Sequence, residues 1–164
     1  MSGGSANFNI DNSTGGGIST HASGKITSDT MNNLWSNVSG PDATTGSTKY
    51  RCFYIKNANG TTALTGCKVW ISSPTASPND EVDISQDTTA GPGSNTTASS
   101  NGTTDPGSAS WRRPLSETDS NVITFTGSLG PGQQQAMWVK RTVQAGAAAF
   151  ASNVYEISIS GETT

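Results

Sequence analysis

Leucine is scarce in this chain, and so are charge, cysteine and histidine. Only 4 Leu stand beside 9 Ile, 7 Val and 4 Phe in 164 residues. That strongly apolar set is below the roughly 20% at which chains begin to look disordered. Disorder also calls for high net charge, yet 13% of residues are charged and the net charge is -3. The single histidine, His21, lies in a Gly/Ser-rich stretch that cannot hold a catalytic base rigidly. No nucleophile elbow, phosphate loop or dinucleotide fingerprint occurs. Two cysteines are too few for a disulfide framework or a four-cysteine zinc site. No apolar run is long enough to span a membrane, and the opening MSGGSAN has neither the basic nor the apolar region of a secretion signal. The slightly acidic balance disfavours nucleic acid as the main partner. An enzyme, a cofactor, a metal centre, a membrane and nucleic acid are therefore all expected to be absent from the protein's function.

What is there is polar and small. Ser (24), Thr (23), Asn (13) and Gly (19) make up 79 residues, close to half the chain. Asn-x-Ser/Thr triplets at Asn12, Asn37, Asn59, Asn95 and Asn101 follow from that composition and carry no message without an export signal. Among large apolar residues Ile and Val far outnumber Leu, and β-branched side chains suit a pleated sheet better than a helix. The composition points to an all-β sheet protein with long polar loops.

Residues 1–47 carry Phe8, Ile10, Ile18, Ile26, Leu34 and Trp35 at spacings that fit neither a sustained helix nor a strand. They read as an extended arm that lies on a surface, or else as a disordered terminus. A short helical turn is expected within 28–38, capped by Ser28 or Asp29. Residues 48–164 read as a β-sandwich with strands at Tyr50–Asn57, Cys67–Ser72, Glu81–Ser85, Asn121–Leu129, Gln135–Val143 and Val154–Ser160. Asn59-Gly60 predicts a two-residue hairpin turn, which sets Cys52 opposite Cys67. Free thiols are expected there, because no export signal implies a reducing compartment. The stretch 88–110 is low-complexity and reads as a long exposed loop. The Ala-rich segment at 145–152 is too short for an independent helix and reads as an irregular connection.

Few residues invite chemistry. Asp80, Glu81, Asp83 and Asp87 cluster without calcium-loop spacing and read as a solvated strand edge. Trp70, Trp111 and Trp138, with Tyr50 and Tyr54, are the types that stack on sugar rings, although Trp70 and Trp138 stand in mid-strand and read first as core. Trp111 precedes Arg112, Arg113 and Pro114 after the low-complexity stretch, which makes Trp111, Arg112 and Arg113 candidates for a partner contact.

The segments NNLWSNVS (32–39), YRCFYIKN (50–57), KVWIS (68–72) and SLGPGQQQAMWVKRTV (128–143) resemble, in this order, virion structural proteins of tailed bacteriophages. The "Leu-x-Pro-Gly" entry to the last strand is also common in immunoglobulin-like sandwiches. The resemblance spans roughly residues 15–160, but the 88–110 loop has no counterpart in the pattern. It implies an immunoglobulin-like or jelly-roll-like β-sandwich with an extended N-terminal arm. It also implies a non-enzymatic capsid decoration (cement) protein of the virion, made in the host bacterial cytoplasm. Its partners would be the major capsid protein and other virion proteins, and it would be a homo-oligomer or present in many copies. Phe8, Ile10, Ile18, Ile26, Leu34 and Trp35 of the arm, with Trp111, Arg112 and Arg113, would make the contacts. A tail, neck or fibre-associated virion protein and a glycan-binding β-sandwich module are the alternatives.

Overall fold

A computed structural model describes residues 8–12, 24–25, 35, 37–87, 103, 105–106, 110–150 and 153–163. In chain order the elements are β1 (Phe8–Asn12), β2 (Gly24–Lys25), α1 (Gly40–Thr45), β3 (Ser47–Asn57), β4 (Leu64–Ser73), β5 (Asp80–Gln86), β6 (Ile123–Thr124), β7 (Gln134–Val143) and β8 (Glu156–Thr163). All described pairings are antiparallel. One sheet has the order β2-β1-β3-β7-β5 and the other β6-β4-β8. The expected all-β sandwich is the observed architecture.

The core lies between the sheets. Phe53, Ile55, Met137, Val139, Val82 and Ile84 from the first meet Leu64, Cys67, Val69, Ile71, Ile123 and Leu129 from the second side. A second cluster of Tyr50, Cys52, Tyr54, Ala136 and Trp138 occupies the opposite face of β3 and β7. These two strands are thus buried on both faces. That explains their unbroken apolar runs, CFYI and AMWV, where a strand with one wet face would alternate.

The Asn59-Gly60 hairpin does not form. β3 pairs with β1 and β7, and β4 with β6 and β8, so the chain changes sheets across residues 58–63. Asn57 fastens this crossover. Its buried Nδ2 donates to the carbonyls of Thr62 (2.9 Å) and Leu129 (2.8 Å), and its Oδ1 accepts from the Asn59 amide (2.9 Å). A strand with two apolar faces needs neighbours and covers on every side, and that demand overrides the local turn preference. Cys52 and Cys67 consequently sit in different sheets, Cys52 in the outer cluster and Cys67 in the inner core. Both are free and buried; the free state matches expectation, and the opposed placement is corrected.

Other boundaries also move. The 28–38 helical turn falls partly outside the described residues, and Trp35 and residues 37–38 are not helical. The helix is α1 instead. The Ser39 side chain accepts from the Asp42 amide at its start, and Pro41 occupies its first turn. It ends at Gly46, whose φ of +79° disfavours any side chain and where a Cβ would come within 3.0 Å of the Ala145 backbone nitrogen. The expected 121–129 strand is interrupted. Only Ile123–Thr124 forms a ladder with β4; Phe125 and Leu129 return as single backbone contacts around Gly127 (φ +86°). Residues 145–150 form an irregular connection, as their length suggested.

The acidic cluster is not a solvated edge. Alternation along β5 sends Asp80 toward the interior and Glu81, Asp83 and Asp87 to the other face. Asp80 is buried, gripped through both oxygens by Arg141, with Nε at 2.8 Å from Oδ1, and it accepts from Asn153 Nδ2 at 2.7 Å. The carboxylate raises the Arg141 pKa above its ordinary value. Nearby, Trp35 Nε1 donates to Tyr155 Oη at 2.8 Å, closing this end of the core, and burial pushes the Tyr155 phenol up.

Two outcomes test this packing. Arg141→Met should cost about 3–5 kcal/mol in urea unfolding, because it strands a buried carboxylate; a loss under about 1 kcal/mol would show that the pair is dispensable. Burial lifts the Cys52 thiol to about 12 and raises that of Cys67. Both should therefore resist alkylation in the native protein, while the unreduced, denatured chain should titrate as two thiols.

Candidate functional site

On the outer face of the larger sheet the described residues assemble a connected set of polar and aromatic groups. Strands β3, β7 and β5 place Tyr50, Lys140 and Asp83 in one cross-strand row, since Tyr50 pairs with Lys140 and Lys140 with Asp83. Over this row lie residues 105–106 and 110–114, here called the strap. The Arg112 amide and carbonyl both bond to Ile84, which extends the sheet beyond β5, and the Pro114 carbonyl then accepts from the Ile71 amide of β4 at 2.8 Å. Within three residues the strap passes from one sheet to the other and covers the open side between them.

Side chains hold the strap down. The Trp111 ring lies 5.5 Å from that of Tyr50 and beneath the Lys140 ammonium, 5.2 Å from the ring centroid. Asp105 accepts from Tyr50 Oη (3.4 Å) and Trp111 Nε1 (3.3 Å). Burial, followed by the Asp105 charge, raises the Tyr50 pKa. Arg113 Nη2 sits 3.0 Å from Glu81 Oε2 and 2.8 Å from Asp83 Oδ1, and Lys140 Nζ lies 2.8 Å from Asp83 Oδ2. Deeper, Trp138 Nε1 donates to Asp87 Oδ2 at 3.3 Å. A recess of about 140 Å³ beside the strap is lined by Pro74, Thr75, Pro78, Val82 and the Glu81–Arg113 pair. It is smaller than the roughly 300 Å³ of a drug-sized site.

The residues expected to contact a partner are thus dispersed. Phe8 and Ile10 lie in β1, which pairs along β3 from Phe8↔Asn57 to Asn12↔Phe53. Ile18, Ile26 and Leu34 lie outside the described residues. Trp35 is not an exposed anchor; it is buried in the sandwich's own core, with Arg51 stacked 5.3 Å from its ring. Trp111 and Arg113 are engaged within the chain, and Arg112 is exposed. The loop at 88–110 lies mostly outside the described residues, but its Asp105 is tied to the sheet. Asp105, Tyr50 and Lys140 carry the strap; parity along β3 and β7 puts Tyr50 and Lys140 on this face, while nothing in the sequence marks Asp105. Large apolar side chains at Leu115, Phe150 and Val154 are exposed. Among the described residues no group of His, Cys, Asp or Glu is placed to hold a metal ion.

No known protein family, characterised protein or solved structure matches the chain.

The strap should be sensitive to acid. Hydrogen bonding to Arg113 holds the Glu81 carboxyl below its ordinary value of 4.5. The pair therefore contributes fully above that pH, and the contribution is lost as pH falls through the lower folded value. Thermal melts from pH 7 to pH 3 should show a smaller decline for Arg113→Ala than for the parent. Parallel declines would mean that the strap is held without this pair.

Proposed function

We propose that the chain is a non-enzymatic structural protein of a tailed-bacteriophage virion, a decoration protein that binds the capsid lattice and stabilises it. The observation that carries this reading is the way the N-terminal segment joins the sandwich. β1 attaches along β3 by a five-residue antiparallel ladder, while strands β3 to β8 build the core. Backbone pairing of this kind accepts any extended strand, so an N-terminal segment can be shared with a neighbouring subunit. The segments that carry the phage resemblance are also the ones that build the sandwich: YRCFYIKN lies in β3, KVWIS in β4 and QQAMWVKRTV is β7. Charged side chains near the strap and inside the core serve one another in structural pairs, which suits a scaffold that binds through surface and arm. Attachment to a lattice would in turn stabilise a sandwich poor in apolar residues, because a partner that binds only the folded state draws the equilibrium toward it.

The test is reconstitution. Full-length protein and a variant lacking residues 1–27 are added to heads stripped of the protein, and bound copies and rupture temperature are measured. The truncated variant should remain folded, bind fewer copies and leave the heads rupturing at a lower temperature. Equal occupancy and equal rupture temperature would remove the arm from the mechanism. Binding to purified tails and not to heads would replace decoration by a tail role.

A further inference from the structure

We propose that the outer face of the β6-β4-β8 sheet, centred on Trp70, is a binding platform for neutral polysaccharide. Alternation along β4 sends Cys67, Val69 and Ile71 into the core and Lys68, Trp70 and Ser72 to the opposite side. Trp70 is partly exposed there. The other three tryptophans are all engaged: Trp35 with Tyr155 and Arg51, Trp111 with Asp105, Tyr50 and Lys140, and Trp138 with Asp87. Among the described residues, the Trp70 indole alone has no hydrogen bond, ring contact or cation neighbour. Its N–H has no partner among the described residues and is not a buried orphan, so it is open to a ligand together with the exposed part of the ring.

The surroundings select the ligand. Ser158 is the cross-strand partner of Trp70 and donates to Ser72 at 2.8 Å. Ser160 donates to Glu117 at 2.8 Å, and Thr124 stands exposed beside Lys68. An indole that shares its sheet face with hydroxyls on the neighbouring strand suits a pyranose, whose C–H face is attracted to the negative face of the indole while its hydroxyls exchange bonds with Ser158 and Ser72. Lys68 is offset by Glu117 at 3.7 Å, and Glu156 and Glu162 flank the platform on the same face of β8. That charge repels polyuronates and nucleic acids, and the remaining charged alternative, a polycation, is one of the outcomes of the test. A sheet face offers area without enclosure, which suits a chain of sugars better than a single one. This site is independent of the arm and of the virion reading.

Affinity electrophoresis of the full chain tests it, with native gels containing dextran, galactomannan or hydroxyethyl cellulose, and carboxymethyl-dextran and diethylaminoethyl-dextran as charged controls. At least one neutral polymer should retard the protein, and carboxymethyl-dextran should not. Trp70→Ala should weaken the retardation about tenfold or more, Trp70→Tyr should keep most of it, and Trp111→Phe should leave it unchanged. Should Trp70→Ala fail to fold, Ser158→Lys places a long side chain across the ring and should abolish binding in a folded protein. Three results would overturn the proposal: no retardation by any neutral polymer, retardation by diethylaminoethyl-dextran alone, or a Trp70-dependent dimer in sedimentation, which would make a second copy the occupant.

Discussion

The ladder between β3 and β7 is the constraint from which the rest follows. It runs from Ser47↔Val143 to Lys56↔Gln134, and it is apolar on both sides. A chain with so few large apolar residues cannot spread them evenly and still exclude water. It places Phe53, Ile55, Met137 and Val139 on one face of a single strand pair and Tyr50, Cys52, Tyr54 and Trp138 on the other. Two covers are then obligatory. The smaller sheet provides the inner one, and Trp111 and Asp105 close part of the outer one.

Polar groups fix how the covers are attached. Asn57 holds the crossover into β4, the Arg141–Asp80–Asn153 set locks the end of β5 to the chain before β8, and Arg113 fixes the strap to β5. Gln135, buried in the sheet, donates to the Asp87 and Ala136 carbonyls and holds the chain at the far end of β5. Unpaired, each of these groups would carry a desolvation cost; paired, each admits one arrangement. Hydrophobic burial makes the chain collapse, and these contacts decide which sheet each segment joins.

The same division bears on the proposed roles. Arm attachment through a backbone ladder, a strap held by ion pairs and an outward-facing tryptophan occupy three different parts of the molecule. The lattice contact and the polysaccharide platform can therefore fail or stand separately. The capsid reading leans on β1 and its neighbours in the arm, and the platform on β4, β6 and β8.

Residue chemistry alone determined that the protein is a β-sheet structure and that its strands lie near 50–57, 67–72, 81–85, 135–143 and 154–160. These are local matters: β-branched side chains and period-two alternation act within a strand whatever it pairs with. Tertiary structure alone decided that Asn59-Gly60 is a crossover, that Trp35 belongs to the core, that Asp80 and Asp83 face opposite ways into different partners, and that Trp70 faces out while Trp138 is covered. Each depends on which strands become neighbours. That choice is made by the summed burial of both faces of β3 and β7, contributed by residues far apart in the chain, and no window of sequence contains it.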